Sequence, residues 1–239
     1  PLTMGEAATY LSEHTDCDII DINMGCPVNK VIKAHAGSYL MAHPEEAYDV
    51  VRAVVDHTDR PVTVKMRAGW DHDHINCVEI ARLCEKAGAK AVAVHGRTRS
   101  QMYTGSSNNE YIKMVKESVS IPVIGNGDIK TPQDALDMMA YTKCDAMMIG
   151  RALIGRPFLI KEIKNVLEGK ENCEVSFVER LDLCKEYARR LCKDETEYTG
   201  IREIRGIAPM YLTGMPHASH YKHALTQVTS LKDFNAIIE

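Results

Sequence analysis

Five short apolar segments, each followed by a helix-like segment, constrain the fold of this chain more than any other feature. The segments span residues 18–23, 62–67, 91–95, 122–125 and 146–150 and are rich in aliphatic and β-branched side chains. This composition is typical of parallel strands that are buried on both faces. Helix-start signals lie between them, as at Pro44 and at Thr131-Pro132. Five strand–helix units without a hairpin predict an α/β fold, either a barrel or a doubly wound sheet.

The pattern changes after about residue 170, where no further strand is predicted. Ser176-x-x-Glu179 is a capping box that predicts a helix start. Apolar residues then recur at spacings of three and four, namely Phe177, Leu181, Cys184, Ala188 and Leu191. A turn at Thr199-Gly200 is expected to lead into a second helix over 201–212. The sequence therefore predicts two domains, an α/β domain over 1–170 and a helical domain over 171–239.

Composition bounds the class of protein. The 239 residues are 45% hydrophobic, so a large core can form, and no apolar run is long enough to span a bilayer. We find no signal-peptide pattern at the start of the sequence. Eight cysteines without a C-x-x-C pair indicate free thiols in a reducing compartment rather than a zinc ribbon. We therefore predict a cytoplasmic protein without a membrane segment. The net charge of −4 gives no sign of a nucleic-acid partner.

Polar side chains gather where the predicted strands end. They are Asn23, Cys26, Lys65, Arg67, His95, Arg97, Asn126, Asp128 and Arg151. Barrels of alternating strands and helices build their active sites at this end of the sheet. If these residues served structure alone, we would expect them at both strand ends. The distribution therefore favours an active site.

Two glycine-containing segments follow the last two predicted strands, Gly125-Asn126-Gly127-Asp128 and Gly150-Arg151. Loops at this place in a barrel commonly hold a phosphate, because glycine lets backbone N–H groups approach its oxygens. An arginine can add a bidentate contact. The first segment alone could also be an ordinary tight turn. Together the two segments predict a phosphate site.

Lys65 lies inside a predicted buried strand, between Val64 and Met66. A buried ammonium group needs an anionic partner, because an unpaired charge is costly in an apolar environment. That partner is either a carboxylate, in a structural salt bridge, or an anionic cofactor. A flavin suits the second alternative, since its reduced form carries negative charge.

Cys26 lies in the segment Asn23-Met24-Gly25-Cys26-Pro27, directly after a predicted strand. Gly25 and Pro27 are expected to shape a rigid turn that fixes the direction of the thiol. The other cysteines in helix or strand patterns are interpreted as core residues. The segment 71–74 (DHDH) could bind a metal, but it also suits a polar loop, and we predict no metal site.

The motifs N-M-G-C-P, V-K-M-R, V-H-G-R-T, G-N-G-D-I and I-G-R-A occur in this order along the chain. In this order and spacing the chain resembles the tRNA-dihydrouridine synthases, and most of all their DusB-like bacterial branch. The resemblance runs from about residue 2 to the C-terminus. It implies a TIM-type (β/α)8 barrel followed by a helical domain that binds tRNA. The family's barrel starts with strands that have no counterpart here, so the resemblance implies the last five βα units of an N-terminally truncated barrel.

The resemblance also implies a chemistry: reduction of a tRNA uridine by FMN, with NADPH as the electron donor. Hydride would pass to uracil C6 and Cys26 would donate a proton to C5. The implied cofactor-binding residues are Lys65, His95, Asn126, Gly127, Asp128, Gly150 and Arg151. Asn23, Arg67 and Arg97 would contact the substrate. No metal and no protein partner is implied.

Two other readings stay open at this point. One is a flavin reductase of the dihydroorotate-dehydrogenase type, which would share the barrel, the cysteine loop and the strand lysine. The other is a truncated product that binds RNA without catalysis. Arg205-Gly206-Ile207 stands where the family often has R-K-H, which puts a tRNA contact there in question.

Overall fold

The computed structural model describes residues 1–171 and 175–238, which form two compact units, Pro1–Ile149 and Gly150–Glu239. Cys173, one of the eight cysteines, lies outside the described residues. The predicted functional boundary between residues 170 and 171 stays a prediction. None of the described helices is both long and apolar enough to cross a membrane.

The first unit is built on a parallel sheet whose strand order follows the chain, β1-β2-β3-β4-β5. The strands are β1 (Ile20–Met24), β2 (Val62–Arg67), β3 (Ala91–His95), β4 (Val123–Asn126) and β5 (Ala146–Met148). The helices are α1 (Leu2–His14), α2 (Asn29–Lys33), α3 (Pro44–Asp56), α4 (Cys77–Ala87), α5 (Asn109–Lys116) and α6 (Pro132–Thr142). A 3-10 helix spans Gly37–Ala42. This sequential parallel sheet confirms the predicted α/β class.

The predicted strand bounds agree fully for β2 and β3. The first strand begins at Ile20 instead of residue 18, because the ladder to β2 starts where Ile20 N–H donates to the Pro61 carbonyl. The last strand ends at Met148, two residues early. Helix α6 begins at Pro132 with the Thr131–Asp134 capping box that the sequence indicates.

The two faces of the sheet differ. The sequence predicts strands that are buried on both faces, but only one face is fully buried. One face packs into the core through Ile22, Met24, Val64, Met66 and Val94, all at most 2% exposed. The opposite face carries polar residues, and β1 alternates between buried and exposed positions. This second face holds the predicted site residues of β1 to β4.

The second unit is helical throughout its described residues. After a short 3-10 helix (Arg151–Leu153) its helices are α7 (Leu159–Leu167), α8 (Phe177–Asp194), α9 (Glu197–Tyr211), α10 (Ala218–Leu225) and α11 (Leu231–Ile238). The Ser176–Glu179 capping box is present. Of the predicted apolar stripe, Cys184 and Ala188 are fully buried, whereas Phe177 in the first turn is exposed.

The predicted turn at Thr199-Gly200 is wrong, because both residues lie inside α9. The helix starts four residues early, where the Thr196 side chain accepts a hydrogen bond from the Thr199 N–H. Gly200 is present for close packing: a Cβ there would lie 2.7 Å from the Cys192 backbone nitrogen of α8. The glycine therefore marks a close approach of two helices rather than a turn.

Candidate functional site

Strand register brings five of the predicted residues to one face of the sheet. Asn23 of β1 is the register partner of Lys65 in β2. One step further along, Arg67 pairs with His95 of β3, and His95 pairs with Asn126 of β4. Because partners in parallel strands point to the same side and side chains alternate along a strand, all five face the same way. They lie at the carboxyl end of the strands.

The loop that carries Cys26 is held by side chains on both sides. The Asn23 carbonyl oxygen Oδ1 accepts the backbone N–H groups of Gly25 at 2.9 Å and Cys26 at 3.1 Å. The Cys26 carbonyl in turn accepts the Ser38 N–H at 3.0 Å and the Ser38 hydroxyl at 2.8 Å. Asn23 Nδ2 has no hydrogen bond to a described residue, so its amide N–H groups are available to a ligand.

Gly37 and Ser38 are site residues that the sequence interpretation missed. A Cβ on Gly37, whose φ is +61°, would lie 2.9 Å from Cys26 Cβ. Only glycine fits this contact and this left-handed backbone without strain. The signal in the sequence was the Gly-Ser pair shortly before a helix-starting proline, which is too common to single out.

Arg67 is buried rather than placed at the rim, with 3% of its surface exposed. Its Nε donates to the Gly25 carbonyl at 2.8 Å, and its Nη1 donates to the carbonyls of Thr98 and Met102 at 2.8 Å each. The guanidinium thus joins the Cys26 loop to the loop after β3. A direct contact with substrate stays a prediction for this residue.

Arg97 is also buried and pairs with Asp128. The two side chains form hydrogen bonds of 3.1 and 2.8 Å, and Arg97 donates further to the carbonyls of Thr104 and Gly105. Asp128 Oδ2 also accepts the Ser107 N–H at 2.8 Å. Burial opposes ionisation of this carboxyl, but the Ser107 N–H and Arg97 outweigh it and hold its pKa below the ordinary value.

His95 is held in the neutral form. Burial, followed by the positive charges of Arg67, Lys65 and Arg97, lowers its pKa from 6.5 to about 3, although Asp128 acts in the opposite direction. Arg97 Nη1 lies 3.4 Å from His95 Nε2. A guanidinium can only donate, so Nε2 accepts and Nδ1 carries the proton. His95 therefore presents one N–H donor without a charge.

Lys65 is half-buried and makes no ion pair or side-chain hydrogen bond within residues 1–171 and 175–238. Its pKa is lowered by burial first and by Arg67 second, while Asp21 raises it. The alternative of a structural salt bridge thus receives no support. An ammonium group without a partner on a polar face suits an anionic ligand.

The predicted phosphate residues lie in both units. Asn126 Nδ2 donates to the Met148 carbonyl at 2.7 Å, and Gly127 has a φ of +137° that favours glycine. The nearby Ser107 hydroxyl is buried without a hydrogen-bond partner among the described residues. Gly150 and Arg151 belong to the second unit, where both are exposed. Their joint role with Asn126–Asp128 stays a prediction.

The segment 71–74 forms a polar loop. Asp71 Oδ1 accepts the backbone N–H groups of Asp73 and His74 and contacts His74 Nδ1 at 2.6 Å. The hydrogen bond from the His74 side chain is the main reason that the pKa of Asp71 is lowered. The described residues contain no cluster of three or more potential metal ligands.

The buried thiols differ from Cys26 in their surroundings. Burial raises the pKa of Cys77 to about 11 and that of Cys84 and Cys184 to about 12. Such thiols are poor proton donors and behave as small apolar side chains. Cys26 is half-buried in its loop at the polar face.

Comparison with known proteins identifies the family of this chain. The family model "Dihydrouridine synthase (Dus)" matches residues 1–239. The chain belongs to the dihydrouridine synthase family.

Its curated relatives carry a more specific name. The tRNA-dihydrouridine synthase B of Vibrio cholerae serotype O1 is 43% identical over 229 residues, which cover 95% of this chain and 71% of that protein. The enzyme of the same name from Shewanella oneidensis is 44% identical over 213 residues, 89% of this chain and 66% of that protein.

A solved structure supports the fold. The structure titled "Crystal structure of TcOYE with pHBA" aligns with a TM-score of 0.50 at 17% identity, over 74% of this chain and 50% of that chain. At this identity the likeness concerns the fold alone. It agrees with the TIM-barrel type that the sequence predicts.

Proposed function

We propose that this chain reduces uridine in tRNA to 5,6-dihydrouridine, with FMN as its cofactor and NADPH as the source of electrons. Family membership and relatives named tRNA-dihydrouridine synthase B support the reaction and the substrate. The observation that carries the proposal is the polar face of the sheet, where a held cysteine loop and a lysine without a protein partner lie on adjacent strands.

The residues at this face fit a flavin. Lys65 offers a positive charge that forms no ion pair with a described carboxylate, and neutral His95 offers a single N–H donor. Asn126, Gly127 and Asp128 lie at the end of β4, where we place the phosphate end of the flavin. Gly150 and Arg151 are proposed as further phosphate contacts. When bound, FMN in its reduced form would supply the hydride that is added to uracil C6.

The chain's own residues would handle the negative charge and the proton. As the C5–C6 double bond takes up hydride at C6, negative charge develops over C5 and O4 of the uracil ring. Cys26 donates its thiol proton to C5, which completes the two-electron reduction, and the resulting thiolate is reprotonated from solvent. Lys65 stabilises developing negative charge nearby.

The residues around the Cys26 thiol would position it relative to the base. Asn23 keeps the Cys26 backbone in place through Oδ1 and retains its amide N–H groups for the uracil carbonyls or the flavin. Arg67 and Arg97 were expected to contact substrate. Because Arg67 donates from Nε and Nη1 to loop carbonyls, and Arg97 donates to loop carbonyls and to Asp128, we propose that both act by fixing the loops around the base.

We propose that the helical segment 171–239 binds the body of the tRNA. We also propose that the protein acts on tRNA in the cytoplasm. Neither a metal nor a protein partner enters the proposed reaction.

The test is to purify the chain, measure its flavin absorbance, and incubate it with NADPH and an unmodified tRNA transcript. Mass spectrometry of the digested RNA should show a uridine that has gained two hydrogen atoms. Dihydroorotate-type activity is assayed in parallel with small pyrimidines. A flavin-loaded chain that reduces small pyrimidines but leaves tRNA unchanged would replace the proposal with the small-molecule alternative.

A further inference from the structure

A column of three stacked aromatic rings stands next to the Cys26 loop. The ring centroids of His35 and Tyr39 are 4.5 Å apart with their planes 3° from parallel, and those of Tyr39 and His43 are 3.8 Å apart at 13°. The rings stack without sharing one α-helix, since His35 has a φ of +54°, Ala36 is extended and Tyr39 lies in the 3-10 helix Gly37–Ala42. The two histidines are exposed and the tyrosine is half-buried. We call His35, Tyr39 and His43 the aromatic column.

The column is fixed to the loop that carries the proposed proton donor. Gly37, between its first two members, packs against Cys26, and Ser38 donates two hydrogen bonds to the Cys26 carbonyl. Burial, followed by the negative charge of Glu46 in the first turn of α3, raises the pKa of Tyr39. Any molecule that binds the column is therefore held close to the Cys26 thiol.

The segment that carries the column is basic in a chain that is acidic overall. Residues 29–43 contain Lys30 and Lys33 and neither aspartate nor glutamate, whereas the whole chain has a net charge of −4. Both ammonium groups are exposed on α2, close in sequence to the first ring. Aromatic faces for stacking and cations for phosphates are the combination with which proteins bind single-stranded nucleic acid.

We infer that the aromatic column, together with Lys30 and Lys33, is a docking surface for unpaired RNA bases that flank the target uridine. The inference rests on the proposed function and adds the part of the RNA that the enzyme recognises, namely the unpaired bases beside the target uridine. The outer ring faces of His35 and His43 can stack on bases, and the two lysines meet the adjoining phosphates. The faces of paired bases are covered by neighbouring base pairs in a duplex and cannot stack on protein rings. The docking surface therefore favours a loop of folded RNA over a duplex.

The experiment measures affinity of the full chain for an unmodified tRNA transcript, with the double variant His35→Ala/His43→Ala. Loss of one stacked base weakens binding by about fivefold to 150-fold. Because the double variant removes both stacking rings, we expect the dissociation constant to rise by at least about fivefold. His35→Phe/His43→Phe keeps both rings and should bind within about twofold of the unchanged chain.

A matched control exists in α1, where Tyr10 and His14 form the same stacked pair with centroids 4.1 Å apart. This pair lies on α1, which precedes β1, whereas Cys26 follows the carboxyl end of β1. His14→Ala should leave RNA affinity unchanged. Lys30→Gln/Lys33→Gln should lower the slope of log affinity against log salt by about 1.5, the value for two lost phosphate contacts. An unchanged slope contradicts the role of the lysines.

Turnover measured alongside separates this inference from the proposed function. If the unchanged chain reduces uridine and His35→Ala/His43→Ala binds and reduces tRNA equally well, the docking surface is overturned and the function stands. If the chain reduces no uridine but binds RNA in a column-dependent manner, the function fails and the docking surface stands. Absence of RNA binding by the unchanged chain overturns the docking surface.

Discussion

Arg67 donates a 2.8 Å hydrogen bond from Nε to the carbonyl of Gly25, the residue directly before Cys26. The same guanidinium holds the Thr98 and Met102 carbonyls of the loop after β3. A charged group in the interior of the first unit therefore fixes the position of the proposed proton donor.

Arg67→Lys should lower both stability and turnover. An ammonium group cannot reach the three carbonyls at once, and each lost hydrogen bond to a charged group is worth about 1.5–3 kcal/mol. We expect the free energy of unfolding to fall by about 2–4 kcal/mol and kcat to fall more than KM rises. Urea unfolding and steady-state kinetics measure both. Arg52→Lys, at an exposed ion pair with Asp56, is the control and should change stability by less than about 0.5 kcal/mol. Equal behaviour of the two variants would contradict this role of Arg67.

His95 should make the fold sensitive to acid. Its pKa of about 3 in the folded state lies below its ordinary 6.5. Between these values the unfolded chain binds a proton that the folded chain does not, so this group's contribution is fully present above pH 6.5 and is lost as the pH falls towards 3. The expected slope is about 1.4 kcal/mol per pH unit from this group. Urea unfolding between pH 4 and pH 7 should show this slope, and His95→Gln should flatten it. Identical slopes in both proteins would show that His95 does not carry the effect.

The substitution Lys65→Met tests whether Lys65 stabilises the fold or binds the flavin. Because no described carboxylate forms an ion pair with the ammonium group, and burial lowers its pKa, its removal should leave the stability of the flavin-free protein unchanged or raise it. Flavin retention should weaken, and the reduction potential of bound flavin should fall because the reduced anion loses a positive neighbour. Thermal melting without flavin and potentiometry with flavin are the two measurements. A large loss of stability in the flavin-free protein would restore the salt-bridge interpretation.

Arg151→Ala tests the phosphate site at the start of the second unit. Loss of a charge-assisted contact of about 1.5–3 kcal/mol should weaken FMN binding by about tenfold to 100-fold. Riboflavin, which has no phosphate, should bind the variant and the unchanged chain alike. Fluorescence titration with both flavins gives the comparison. Unchanged FMN affinity would move the phosphate site away from Arg151.

Much of the fold follows from the sequence, because parallel strands and capped helices have local signals. The bounds of β2 and β3 and both capping boxes are cases where periodicity and side-chain chemistry are sufficient. Gly200 is a case where they are not. A glycine that allows two helices to approach looks the same in sequence as one that ends a helix.

The residues of the site could also be predicted, but the contacts made by its arginines could not. Five of the polar residues at the strand ends share one face of the sheet as expected, since register follows from the parallel sheet. The sequence could not show that Arg67 and Arg97 turn inward, because their partners are carbonyls of the irregular loop 98–105, whose conformation has no periodic signal. Gly37 and Ser38 could not be predicted either, because a Gly-Ser pair shortly before a proline is too common a signal.

The most direct test of the account compares Cys26→Ala with Cys17→Ala in a single turnover. Cys17 is also a half-buried free thiol, but it precedes the amino end of β1, whereas Cys26 follows the carboxyl end. Each variant is loaded with FMN, reduced with NADPH and mixed with unmodified tRNA, and flavin reoxidation and dihydrouridine formation are followed together. The account predicts that Cys26→Ala keeps its flavin and forms dihydrouridine at least about 100-fold more slowly, the range for loss of a general acid, while Cys17→Ala matches the unchanged chain. Dihydrouridine formation by Cys26→Ala at the unchanged rate would contradict it.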